Sequence, residues 1–381
     1  MEDDGLYRAL QRHLDRMPVP FPATESGVEI RILKHLFTSD EARLALCLSA
    51  IPEALDTIHR RVRPQITREQ LAEALDRMAD TGSIHKLPGK KGPAYCKSPL
   101  VLGMYEAQVD RLTPELERDV RAYFDAEFGR EMFTPRTPQM RVVPVNKAIP
   151  VERAAAVASY DDIRKFVEAS PGPFAVISCI CRQGRALTGE PCKLTSEPRN
   201  CLMFGVAATA MTRKGLARPV SKGEMLAFLE QADRQGLVLE PQNTTDPMFV
   251  CCCCSCCCGV LTNAKKLERP AEFFQTDFVA AVDHDKCQVC GVCSTRCPMD
   301  AVAAASAATD GEPPVVAEER CIGCGLCVTT CTSEAIALQK KERRPPPPKD
   351  MRELYTTMFK ERYGPLGTAA AVAGNLVGRK F

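Results

Sequence analysis

Tryptophan is absent from this chain, and histidine occurs only five times, at His13, His35, His59, His85 and His284. So scattered a set offers neither a paired acid–base arrangement nor a histidine metal site. The sequence also lacks a GxGxxG fingerprint, a P-loop and an HExxH helix, so dinucleotide, nucleotide-phosphate and metalloprotease chemistry have no visible basis. Charge of one sign is missing too. Fifty Lys and Arg face 48 Asp and Glu, a net charge of +2, too small for a chain held mainly by nucleic-acid phosphates or anionic lipid. No run reaches the roughly 18–20 apolar residues of a membrane span. The opening MEDDGLYRAL is acidic where a secretory signal needs basic residues. The expected compartment is the cytoplasm.

Cysteine is abundant. Nineteen of the 21 lie between Cys179 and Cys331, with only Cys47 and Cys96 outside. Dense cysteine in a small secreted domain would indicate disulfides, but an odd count in a chain of cytoplasmic type points to thiolate–metal chemistry. Composition is otherwise ordinary for a globular protein, 45% hydrophobic and 26% charged.

The pattern predicts an α+β multidomain fold. A helical extension, 1–37, precedes a module at 38–106. In that module EARLALCLSAI (41–51) has helical spacing, and Thr67 with Gln70 forms a capping box. Leu71, Ala74, Leu75 and Met78 then repeat on one face, with Gly82 as terminator. SIHKLPGKKGPAYCKS reads as two short strands around a Gly/Lys tip. Helices followed by such a hairpin resemble a winged helix-turn-helix domain. A helical connector near 112–130 and a Pro-punctuated strap complete 107–158. A cysteine-rich metal-binding domain is expected at 159–270. There Ser159 with Asp162 caps a helix, PFAVISC forms a strand, and Ser221 with Glu224 caps a second helix. Residues 278–338 contain an internal repeat, and Asp310–Gly311 signals a hairpin turn inside it. The tail, 339–381, holds a Pro345–Pro348 spacer, ten basic residues against four acidic, and a closing apolar stretch too short to span a bilayer.

The repeat carries the clearest chemistry. Cys287, Cys290, Cys293 and Cys297 are spaced CxxCxxCxxxC, and Cys321, Cys324, Cys327 and Cys331 repeat that spacing. Three thiolates from one tight loop reach three corners of an iron–sulfur cubane, with Gly291 and Gly325 letting the backbone turn closely. Zinc also uses CxxC pairs, but zinc ribbons do not usually repeat this longer motif twice. The segment resembles the bacterial-type ferredoxin with two [4Fe-4S] clusters. The resemblance implies one cluster on Cys287, Cys290, Cys293 and Cys331, and another on Cys321, Cys324, Cys327 and Cys297. The second motif departs from the family by ending Cys331–Thr332 rather than Cys–Pro. Residues 285–338 contain no His and no aromatic, so the domain reads as an electron relay rather than a catalytic site.

Upstream, Cys179, Cys181, Cys192 and Cys201 form a candidate ligand set, with Arg182 placed to screen thiolate charge. CCCCSCCC supplies Cys251, Cys252, Cys253, Cys254, Cys256, Cys257 and Cys258. Adjacent residues of an extended chain point to opposite sides. Cys252 and Cys254 are therefore expected at one site and Cys251 and Cys253 at another. These cysteines are expected to hold a further iron–sulfur cluster or zinc; the alternatives are buried core residues, a fortuitous run or a thiol-exchange site. The layout over roughly 35–338 resembles a family of long ferredoxin-like proteins from anaerobes, which brings no activity with it.

The expected function is electron transfer to or from a larger oxidoreductase, in anaerobic metabolism. The basic tail would dock that partner or a twin subunit in a homodimer. A redox-sensing winged-helix transcription regulator is the alternative, with Lys86, Lys90 and Lys91 facing phosphate. Against it, Glu69, Glu73, Asp76 and Asp80 project from the candidate recognition helix. A stand-alone enzyme is the third reading, for which no substrate site is visible.

Overall fold

The computed structural model describes residues 2–89, 92–145, 161–303, 311–341 and 346–376. The chain divides into two compact units, 1–135 with 355–381, and 136–354.

In the first unit the expected Thr67 cap forms, and Thr38 forms a second capping box. Thr38 opens helix Ser39–Ala45 with Glu41, and Thr67 opens helix Arg68–Asp80 with Gln70. Leu71, Ala74, Leu75 and Met78 are buried, and Gly82 follows at φ +80°. The helix expected over 41–51 stops at Ala45. The Ser49 carbonyl instead accepts from Lys97 N at 2.9 Å, and the Ser49 hydroxyl accepts from Ile51 N at 3.2 Å. Strand β1 (Glu53–Ala54) and an unforeseen helix, Leu55–Val62, follow. The predicted hairpin is β2 (Ile84–Gly89) and β3 (Gly92–Lys97), and β1 joins it in the order β1-β3-β2. Helices Glu2–Leu14 and Val28–Leu36 belong to the same packing, with helix Pro114–Asp125 against the latter.

Two details of this unit differ from expectation. Asp76 does not project freely: its carboxylate pairs with Lys86 at 2.8 Å and accepts from the Tyr95 hydroxyl at 2.6 Å. Lys90 and Lys91 lie outside the described residues. The tail, expected as a spacer and basic arm, is largely helical over Met351–Leu376, kinked at Gly364–Pro365. Arg362 Nη1 donates to the Met17 carbonyl at 2.9 Å and the Tyr363 hydroxyl donates to the Arg16 carbonyl at 2.8 Å. Met358 and Phe359 are buried.

The second unit is organised around a five-stranded antiparallel sheet. Its strands are β4 (Phe174–Ser178), β5 (Arg199–Phe204), β6 (Ala217–Val220), β7 (Val238–Pro241) and β8 (Phe249–Cys253), in the order β6-β4-β5-β8-β7. Val176, Leu202, Val238 and Val250 are fully buried in it. The Ser221–Glu224 capping box opens helix Lys222–Gln235 as expected. The first helix, Ile163–Ala169, is capped by Asp162 alone among the described residues, and Ser159 lies outside them. The cysteine loop expected after β4 begins instead with helix Ile180–Leu187.

The Pro-punctuated strap extends the sheet edge. Val143 N donates to the Leu239 carbonyl at 3.1 Å, and Val145 N donates to the Cys324 carbonyl at 2.9 Å. Beyond the sheet, β9 (Phe278–Val282) pairs antiparallel with β10 (Ile336–Lys340) and closes the repeat segment. The flanks of the expected Asp310–Gly311 hairpin pair through Val302 and Val316; Asp310 itself lies outside the described residues.

Candidate metal centre

The two cysteine repeats share a backbone conformation as well as a spacing. Val289 and Gly291 have φ +52° and +74°, and their equivalents Gly323 and Gly325 have φ +67° and +75°. Asp300 and Glu334, also equivalent, both stand at +52°. Left-handed residues between the cysteines curl each loop so that successive thiols face inward. Backbone N–H groups then point at sulfur in matched places: Ala301 N at Cys297 (3.2 Å) and Ala335 N at Cys331 (3.3 Å). Ala280 N donates to Cys321 at 3.4 Å and Val289 N to Cys287 at 3.4 Å. Such N–H···S contacts stabilise thiolates and tune a bound cluster's potential.

Cys297 does not stay with its own loop. A cavity is lined by Cys297 together with Cys321, Cys324 and Cys327, walled by Met299, Val302 and Ile322. Burial pushes the Cys327 thiol up to about 12 and the Cys324 thiol well above its ordinary value. Without a metal such thiols stay protonated, so loading releases protons. The remaining thiols are wetter: Cys290 is exposed and Cys287 and Cys331 are half-exposed, although Cys293 is buried. Eight thiols, inward-curled loops and N–H donors aimed at sulfur fit an iron–sulfur group.

Residues 280–332 match a family described as a 4Fe-4S dicluster domain. This is a ferredoxin-like iron–sulfur domain. Searches of curated proteins and of solved structures gave no match for the chain.

The ferredoxin-like domain is keyed to the end of helix Lys222–Gln235. Arg296, next to Cys297, donates to the Asp233 and Arg234 carbonyls at 2.5 and 3.1 Å, and the Thr329 hydroxyl donates to the Asp233 carboxylate at 2.8 Å.

The upstream cysteines gather differently from the sequence expectation. Cys192 leaves the CxC group and meets Cys254, Cys256 and Cys257, all four sulfurs lying within 4.8 Å of one another. The run turns sharply after β8, with Cys258 N donating to the Cys254 carbonyl at 3.1 Å, which swings Cys254 away from the strand. Cys252 and Cys254 therefore do not share a site. Cys252 lies on the opposite face of β8, 2% exposed, its thiol pushed up to about 12 by burial. Burial also pushes Cys192 up, but the N–H groups of Leu194 and Thr195 outweigh it and hold that thiol low.

The other group does form around Cys251 and Cys253. Cys201 faces Cys251 across β5 and β8 with sulfurs 3.7 Å apart. Cys251 is held well down by hydrogen bonds from Cys201 and Cys253. Cys258 neighbours Cys253 and Cys181, and Cys179 neighbours Cys181. Among the described residues none of these cysteines forms a disulfide.

Sequence reasoning missed Glu240, which is 0% exposed on β7 and clusters with Cys253 and Cys258. A lone acid inside the apolar run LVLEP was the available signal. Arg182 is where its sequence position suggested, 5% exposed, with one guanidinium nitrogen on the Cys252 carbonyl at 2.5 Å. Burial works against its charge, but the thiols of Cys179, Cys254, Cys253 and Cys252 more than offset that.

Proposed function

We propose that this chain is an electron carrier or oxidoreductase subunit whose ferredoxin-like domain holds two [4Fe-4S] clusters. One is held by Cys287, Cys290, Cys293 and Cys331, the other by Cys321, Cys324, Cys327 and Cys297. The carrying observation is the cavity that brings Cys297 to the second loop, since the fourth cysteine of such a motif serves the other cluster. A bound cluster supplies one-electron redox chemistry and no acid–base group. The burial difference supports a direction: exposed Cys290 marks the side on which a redox partner docks, and the buried set faces the protein interior. The partner is a redox protein or larger oxidoreductase complex in the cytoplasm of an anaerobe.

A winged-helix regulator draws support from the sheet order β1-β3-β2 among short helices. It is disfavoured because Lys86, the one described wing lysine, is already neutralised by Asp76 and so is poorly placed to bind phosphate.

Anaerobically purified protein is expected to carry about eight iron and eight sulfide in this domain. Cys290→Ser should remove part of that iron and slow reduction by an external one-electron donor in step. Loss of iron with unchanged electron flow would sink the relay reading.

A further inference from the structure

We infer that Cys192, Cys254, Cys256 and Cys257 bind one tetrahedral metal ion, zinc or iron, rather than an iron–sulfur cluster. The inference is independent of the ferredoxin reading. Sulfur separations decide the class: Cys192 to Cys254 is 3.6 Å, Cys192 to Cys256 is 3.7 Å, and Cys256 to Cys257 is 3.7 Å. Four thiolates at about 2.3 Å from a central ion lie about 3.8 Å apart along the tetrahedron edge. A cubane sets each thiolate on a separate iron corner and so spreads them much further. The backbone agrees with the sulfur geometry. Leu194 and Thr195 aim their N–H groups at the Cys192 sulfur, and Lys193 aims its N–H at Cys256. Those contacts stabilise thiolates, and four thiolates this close repel strongly unless a cation lies between them. The ion ties the loop at Cys192 to the turn after β8, 62 to 65 residues later in the chain.

The test is metal and sulfide analysis of the full chain, with cobalt replacement. This site is expected to account for one zinc, or one iron beyond the sulfide count, per chain, and cobalt should give the visible bands and thiolate charge-transfer absorption of a tetrahedral site. Cys256→Ser should lose this ion while the ferredoxin-like domain keeps its iron and sulfide. Cys256→His, which preserves a four-donor set, should restore binding and controls for a folding defect. Zinc makes the site a redox-inert brace, and iron makes it a further one-electron centre. Upstream metal made up of iron matched by sulfide, or no stoichiometric ion at all, would overturn the inference.

A separate observation carries a second site. Glu240 is fully buried, no N–H or hydroxyl reaches either carboxylate oxygen among the described residues, and the polar group against it is the Cys253 thiol. Its neighbours are Cys253 and Cys258, with reactive atoms all within 4.8 Å. An unpaired buried carboxylate is expensive, and thiols cannot neutralise it. The geometry points to Glu240 as a carboxylate ligand, beside Cys253 and Cys258, of a second upstream centre built on iron or zinc. Glu240→Gln keeps the shape and removes the charge. It should lower the upstream metal content, with the Cys192 ion retained. Unchanged metal content with equal or higher thermal stability would mean that Glu240 is simply a buried neutral acid, and would refute this assignment.

Discussion

Replacing Gly323 with alanine is expected to cost the ferredoxin-like domain about half of its iron and sulfide, whereas the same change at Gly291 leaves it loaded. Both residues are left-handed, at φ +67° and +74°, so each substitution incurs roughly 1–2 kcal/mol of backbone strain. Their surroundings separate them. A methyl at Gly291 meets no protein atom within 4 Å, but at Gly323 it would sit 2.5 Å from the Phe278 carbonyl oxygen and collide with the Thr276 hydroxyl. Phe278 begins β9 and its N–H is already held by the Thr276 hydroxyl at 3.2 Å, so neither can retreat cheaply. The loop must move instead, carrying Cys321 and Cys324 out of the cavity they share with Cys297 and Cys327. Val289 occupies the equivalent place in the first repeat at φ +52°, which shows that left-handed geometry alone is tolerated there. Iron, sulfide and thermal unfolding of the two variants decide the matter. Equal loading of both would mean that the β9 contact does not hold the loop.

The two loops themselves were legible because their chemistry is local. Spacing names the thiols, and glycine at Gly291 and Gly325 announces the turns. The importance of Gly323 was not legible, since it comes from a strand 45 residues earlier in the chain passing behind the loop. Capping boxes at Thr67 and Ser221 were read for the same reason, because donor and acceptor lie within one turn. The early end of helix Ser39–Ala45 was hidden, because Ser49, inside the expected helix, is tied instead to Lys97 on a distant strand.

The upstream site shows the limit more sharply. Alternation along a strand put Cys251 and Cys253 on one face, and their thiols do hydrogen-bond there. It failed at Cys254, where β8 ends and the run becomes a turn. Cys192 was grouped with Cys179, Cys181 and Cys201 by nearness in sequence, yet helix Ile180–Leu187 carries the chain away before Cys192 is reached. Glu240 was invisible because its role depends on β7 pairing with β8, where it stands opposite Cys251.

Arg182→Met is expected to weaken upstream metal binding by about 10–100-fold, the usual effect of losing a group that supports the ligands from behind. Arg182 is buried, and among the described residues no carboxylate pairs with it. Two of its guanidinium nitrogens, Nε and one Nη, make no hydrogen bond. A cation so placed is tolerable only where its surroundings are negative, and the groups around it are Cys179, Cys252, Cys253 and Cys254. Neutral thiols would leave the charge uncompensated. A metal-bound thiolate set carries net negative charge, since four thiolates outweigh one divalent ion, and Arg182 then balances it. Methionine nearly matches the side-chain volume and removes the charge together with the hydrogen bond to the Cys252 carbonyl. Competition against a chelator of known affinity measures the effect, and Arg182→Lys should recover much of the loss if charge is what matters. Unchanged affinity in the methionine variant would show that the thiols near Arg182 are not ionised in the loaded protein. The mononuclear site would then have to draw its compensating charge from the backbone N–H groups of Lys193, Leu194 and Thr195 alone.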